Sequence, residues 1–266
     1  MPPTLLSSFF TNKLDNCRFI VYYCLMKTTE YLTSTIDKLP KGYVFTFSNF
    51  NIQPDQTEAV IKALNRMVQT GQLAKLSKGR YYKPENTPFG PLLPDIREVV
   101  KDLLEDNGKI IGYLTGYSIY NQLGLTTQVS NTIQIGKNDI RPTFKRERYT
   151  ISFIRQKNTI TKETVPLLQL LDTMRYIKKI PDTDLQTSTK RLLDILKDLA
   201  EDEQKTLVRL SLKYPPATRA LLGAMLDKLG KEIFTSALSK SLNPITTYKL
   251  PGIGNILRTA TNWHIV

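Results

Sequence analysis

From Lys27 onward the apolar positions fall into short periods that change character along the chain. Leu32, Ile36 and Leu39 recur at helical spacing, one apolar face of a short helix that Pro40-Lys41-Gly42 ends. Tyr43–Phe47 (YVFTF) is β-branched and aromatic, the composition of a short strand. Ser48–Phe50 reads as a helical turn capped by Ser48. In Pro54–Leu73, Asp55 and Glu58 have capping-box spacing, Val60, Ile61, Leu64, Met67 and Val68 form a helical stripe, and Gly71 supplies the stop. Leu73–Leu76 and Arg80–Tyr82 flank Ser-Lys-Gly, a β-hairpin in which Gly79 is free to take a positive φ. Helix, strand, turn, capped helix and hairpin in this order predict a winged helix-turn-helix over residues 27–84, with KLSKGRYYKP (75–84) as its wing.

The pattern then breaks. Residues 85–94 are rich in proline and predict an irregular linker. Ile96, Val99, Val100, Leu103 and Leu104 mark a helix to about Asp106, and Gly112–Leu125 suggests another, ended at Gly124. Asn131–Gly136 and Arg148–Gln156 alternate like strands. From Thr161 to Lys240 the period is helical, broken at IPDTD and YPPAT, and the tail reads as irregular with a possible last strand. The fold class is therefore α+β: an N-terminal winged helix-turn-helix, then a mixed, mostly helical C-terminal domain (95–266) with a small β-sheet.

Charge adds a direction. The 266 residues carry 37 Lys/Arg against 24 Asp/Glu, a formal net charge of +13, and a chain this basic often meets a polyanion. A basic solvated surface without a partner is the plain alternative. Two zones are dense: residues 27–90 hold nine cations against five acids, and residues 137–157 hold seven against two. The two cysteines, Cys17 and Cys24, make no disulfide framework, and the apolar run between them is too short to span a bilayer. Met26 begins a stretch that looks like an ordinary protein start, so residues 1–26 read as an upstream mis-start or a loose tail, and the protein as cytoplasmic.

Within the capped helix, Gln56, Thr57, Lys62, Asn65 and Arg66 fall on or near the face opposite the apolar stripe. A recognition helix presents such residues to base edges, amides to adenine and cations to guanine. In the wing, Lys75, Lys78, Arg80 and Lys83 suit phosphate contacts, which add affinity and register rather than sequence information. Tyr81 and Tyr82 should point to opposite faces, one into the core and one able to reach a phosphate. Arg141, Lys145, Arg146 and Arg148 form a possible second basic surface, for nucleic acid, an acidic protein or solvent alone. Catalytic signals are thin. No P-loop or strand-linked dinucleotide fingerprint occurs, Asp182 and Asp184 read as helix capping, and His264 has no evident partner. No catalytic residue, metal site or cofactor is expected, and the chain reads as a non-enzyme.

Taken together, GYVFTFSNF, ALNRMVQTGQLAKLSKGRYYKP, PFGPLLP, GYLTGYSIYNQLGLTTQVSN and LSLKYPPATRALLGAMLD resemble the AbiEi-type antitoxins of type IV toxin–antitoxin systems, in the branch with an N-terminal winged helix. The resemblance covers nearly everything from Thr28. It implies a double-stranded DNA partner, an inverted repeat in the protein's own promoter, engaged by a dimer or by cooperating monomers. It also implies a nucleotidyltransferase-like toxin as functional counterpart, counteracted by the C-terminal domain without a stable complex. A stand-alone winged-helix regulator, whose C-terminal domain only dimerises or binds a ligand, fits the same residues.

Overall fold

The computed structural model describes residues 28–266. The segment 1–26, with Cys17 and Cys24, lies outside the described residues. The chain forms two compact units that meet in sequence at Val99 and Val100. The class is α+β.

The first unit runs α1 (Thr28–Asp37), β1 (Val44–Phe45), α2 (Thr57–Gln69), β2 (Ala74–Ser77) and β3 (Arg80–Tyr82). The three strands pair in the order β1-β3-β2, all antiparallel, and this is the winged-helix topology. Its core gathers Leu32 and Ile36 from α1, Val60, Leu64 and Met67 from α2, and Phe45, Phe50, Leu73 and Tyr81 around them. The ring of Phe50 stands edge-on to Phe45, centroids 5.6 Å apart. Gly79 makes the hairpin turn at φ +73°, a conformation that side-chain-bearing residues rarely adopt.

Local details differ from the sequence expectation. The first strand is only Val44–Phe45, because the next turn draws Thr46 out of it. That turn (Phe47–Asn49) is capped by Thr46 and not by Ser48: Thr46 Oγ1 accepts the Ser48 N–H, and Asn49 Oδ1 accepts the Thr46 N–H at 2.7 Å. The expected Asp55–Glu58 capping box is absent. A 3-10 turn over Pro54–Gln56 leads directly into α2, so no side-chain cap is made there. The proline-rich 85–94 stretch is also regular in part. Its strands β4 (Glu85–Thr87) and β5 (Gly90–Leu92) pair antiparallel, and Pro91 fits because a two-stranded ribbon leaves an outer edge where no N–H is needed. This hairpin and α3 (Ile96–Val99) belong to the first unit, which therefore extends beyond residue 84. The Val44 N–H donates to Glu98 Oε2 at 3.2 Å and ties α3 to β1.

The helix expected from Ile96 to about Asp106 is broken at Val100 into α3 and, in the second unit, α4 (Lys101–Leu104), and its last residues form instead the ribbon β6 (Glu105–Asp106) with β7 (Lys109–Ile110). The helix expected over Gly112–Leu125 is likewise split. Gly112–Thr115 is strand β8, and Tyr117–Gln122 is α5. Strands β9 (Thr132–Lys137), β10 (Phe144–Arg146) and β11 (Tyr149–Arg155) complete a four-stranded sheet in the order β10-β11-β9-β8. Strands β9 and β11 run parallel, with Ile133 opposite Ile151 and Ile135 opposite Phe153. Helices α6 (Val165–Arg175), α7 (Leu185–Asp198), α8 (Glu201–Ser211) and α9 (Pro216–Lys228) build the main apolar core. Asp184 caps α7, its Oδ1 accepting the Thr187 N–H at 2.7 Å. The tail is packed. Trp263 lies against Gly223 so closely that a Cβ there would stand 2.3 Å from its ring, and its indole N–H donates to Asp227 Oδ2 at 2.6 Å. A single parallel bridge, Tyr248 with Ile265, is all that forms of the expected last strand.

Candidate nucleic-acid interface

On α2 the buried stripe Val60, Leu64 and Met67 fixes which way the helix faces. Glu58, Lys62, Arg66 and Gln69 follow one another on the exposed side. Lys62 Nζ lies 2.8 Å from Glu58 Oε1, both ends in solvent. Such a pair is worth only about 0.3–0.5 kcal/mol, so a phosphate or a guanine edge can replace Glu58 at little cost. Arg66 is exposed one turn further on. Gln56 and Thr57, at the start of the helix, are half-buried and flank this face.

Asn65 does not stand ready to read a base. It is half-buried beside the wing, and Tyr81 Oη donates to its Oδ1 at 3.1 Å. The two-ended bond an asparagine makes to adenine needs both ends of its amide, so Asn65 as placed is a brace between helix and wing. Burial raises the Tyr81 hydroxyl above the usual phenol range.

The wing also divides into free and committed residues. Lys75 and Lys78 are exposed and make no ion pair among the described residues. Arg80 is half-buried and has a partner within the protein. Lys83 Nζ donates to the Asp37 carbonyl at 3.0 Å, with Asp37 Oδ1 at 3.9 Å, so its ammonium lies against the C-terminal end of α1. Neither wing tyrosine projects outward: Tyr81 is 2% exposed and Tyr82 4%. Alternation along β3 does send them to opposite faces, but both faces of this small sheet are covered. Strand β2 is the sheet edge, with a bulge between Lys75 and Ser77. Lysines and a bulge on an edge also guard against strand-to-strand aggregation.

The expected second basic surface is only partly a surface. Arg141, Lys145 and Arg148 are exposed. Arg146 is 5% exposed and forks onto Asp102, Nη1 to Oδ1 at 2.8 Å and Nη2 to Oδ2 at 3.3 Å. This fork ties edge strand β10 to α4. Among the described residues no group of three His, Cys, Asp or Glu side chains is placed to hold a metal ion. No helix among them is long and apolar enough to cross a membrane.

One polar cluster gave no sequence signal. Asp172, on α6, is 1% exposed. Its Oδ2 accepts from Tyr113 Oη at 2.8 Å and Thr115 Oγ1 at 3.0 Å, and its Oδ1 accepts from Tyr214 Oη at 2.9 Å. Gln156 Nε2 donates to both tyrosine hydroxyls at 2.8 Å, which closes a ring of hydrogen bonds. Gln156 Oε1 accepts from the Asn158 main chain at 2.8 Å, and Asn158 Nδ2 reaches the Leu210 carbonyl at 3.0 Å. Burial pushes the Asp172 carboxyl up, against the pull of its three hydroxyl donors, and burial with the nearby Asp172 charge raises both tyrosines. The ring joins strand β8, the segment after β11, α6 and the α8–α9 connection. Nothing in it reaches solvent, so its role is to hold the unit together.

A protein-family model described as a family of unknown function, DUF6088, matches residues 31–207. The chain belongs to that family. The DUF6088 match runs from α1 through the four-stranded sheet and into α8, and thus takes in the helix–wing pair and most of the buried ring. None of the curated proteins matches the chain. Among solved structures, the crystal structure of the RV2827C protein from Mycobacterium tuberculosis is similar, with a TM-score of 0.55 and 14% identity, covering 84% of this chain and 85% of that one. At that identity the likeness speaks for the fold of this DUF6088 chain alone.

Proposed function

We propose that the protein is a DNA-binding transcriptional autorepressor and the antitoxin of a type IV toxin–antitoxin system. The observation that carries the DNA-binding half is the winged-helix unit with four exposed cations, Lys62 and Arg66 on α2 and Lys75 and Lys78 on the wing. Helix in the major groove and hairpin on the adjoining backbone is the docking such a unit allows. Lys75 and Lys78 supply phosphate contacts, and Lys62 and Arg66 reach base edges or phosphates from the helix. An inverted repeat takes two copies, one per half-site.

The antitoxin half rests on the resemblance of the sequence to AbiEi-type proteins. In that reading the second unit counteracts a nucleotidyltransferase-like toxin without holding it in a stable complex. Two measurements test the proposal. Fluorescence anisotropy with the duplex upstream of the protein's own gene should show specific binding over a scrambled duplex. Co-expression should restore growth to cells making the neighbouring nucleotidyltransferase-like protein. No preference for the upstream duplex defeats the repressor role, and unrelieved toxicity defeats the antitoxin role.

A further inference from the structure

The outer part of the four-stranded sheet carries a second surface of different character. Phe144 on edge strand β10 and Phe153 on β11 lie ring to ring, centroids 6.2 Å apart, and both are half-buried. The Arg141 guanidinium stands 5.9 Å from the Phe153 ring. The two-residue strand repeat places Arg155 on the same face as Phe153, and the register places Lys137 directly opposite Arg155. Among the described residues Lys137, Arg141 and Arg155 make no ion pair. Burial, and then the charge of Arg141, hold the half-buried Lys137 below the usual lysine range, while Asp102, Asp139 and Asp106 offset this in part. Cations that crowd one another beside partly bare aromatic rings are poorly explained by solvation alone.

We propose that this face binds single-stranded RNA, with unpaired bases stacking on Phe144 and Phe153 and phosphates held by Lys137, Arg141 and Arg155. An acidic protein segment would answer the cations but leave the rings unused. A duplex keeps its base faces stacked inside, out of reach of half-buried rings. Unpaired bases in RNA loops and ends offer both a π-face and a phosphate, and sheets bearing aromatic side chains read them in this way. The site is built from residues of the second unit alone and does not depend on the DNA-binding proposal.

The test is anisotropy of the full chain with a labelled unstructured RNA of about twelve nucleotides, within the span one such module covers. Neutralising Lys137, Arg141 and Arg155 to glutamine should lower the slope of log affinity against log salt by about 2, at roughly 0.7 per single-strand phosphate. Phe153→Leu keeps an apolar side chain and removes the ring; it should weaken binding about fivefold or more. Circular dichroism melts confirm that each variant folds, and Arg141→Gln with Arg155→Gln, both exposed, serves if the triple variant does not. No RNA binding, or binding unmoved by these changes, overturns the proposal. So does binding abolished instead by Lys75→Gln and Lys78→Gln, which would place the RNA on the wing. Tighter binding of single-stranded DNA of the same sequence, or displacement of the RNA by polyglutamate at equal charge, overturns the assignment of RNA as the ligand.

Discussion

Replacing Tyr113 by phenylalanine removes one hydroxyl from the middle of the second unit. That oxygen accepts from Gln156 Nε2 at 2.8 Å and donates to Asp172 Oδ2 at 2.8 Å. Its loss leaves one Gln156 amide hydrogen buried and unpaired, a cost of about 1–3 kcal/mol. It also takes one of three donors from a buried carboxylate, about 1.5–3 kcal/mol more. Because the ring can relax slightly around the shared partners, about 3–4 kcal/mol in total is expected. The readout is urea unfolding followed through Trp263, the only tryptophan, which is buried in the same unit. Tyr214→Phe should cost a similar amount, since its hydroxyl donates to Asp172 Oδ1 and shares Gln156. The double variant should lose clearly less than the sum of the two, because both act on the same carboxylate and amide. A Tyr113→Phe loss under about 1 kcal/mol, or strict additivity, would refute the closed ring.

The same cluster sets a pH dependence. Burial raises the Asp172 carboxyl above its ordinary 3.8, so its contribution to stability is full below that value and is lost as pH rises through the raised folded value. Asp172→Asn should abolish this part of the profile, and equal pH slopes for both proteins in urea melts would contradict it. Gly223→Ala should cost about 1–3 kcal/mol by overpacking and shift Trp263 emission, because a Cβ there meets the indole at 2.3 Å. Arg146→Gln, which takes the buried guanidinium fork away from Asp102, should destabilise the second unit by about 2–4 kcal/mol, toward the low side because Asp102 is partly in solvent and has a further partner. It should leave upstream-duplex affinity unchanged, and so should Lys83→Ala, whose ammonium is spent on Asp37; a tenfold loss of DNA affinity in either would restore that residue to the interface.

Much of the winged helix is legible in the chain because its signals are local. The stripe on α2, the stop at Gly71 and the turn at Gly79 each depend on residues a few positions apart. What escapes depends on distance in sequence. Alternation separates Tyr81 from Tyr82 correctly, but only the fold shows that both faces of the wing are covered and that Tyr81 holds Asn65, 16 positions away. Lys83 has the look of a wing cation until the fold brings Asp37 beside it, 46 positions away. Arg146 belongs to a basic run, yet its charge is met by Asp102, 44 positions upstream. The Asp172 ring joins partners 42 to 59 positions apart, and no periodicity encodes that. Strand β8 reads as helix because Gly112–Thr115 runs straight into the α5 pattern, and its pairing with β9 overrides the local preference.

The proposed role of the wing in DNA binding is tested most directly by salt. Lys75→Gln with Lys78→Gln, both exposed, should leave the melting curve in place and weaken binding to the upstream duplex. The slope of log affinity against log salt should fall by about 1.8, at roughly 0.9 for each phosphate no longer neutralised. Affinity and slope unchanged from the unmodified protein would contradict the placing of the wing on the DNA backbone.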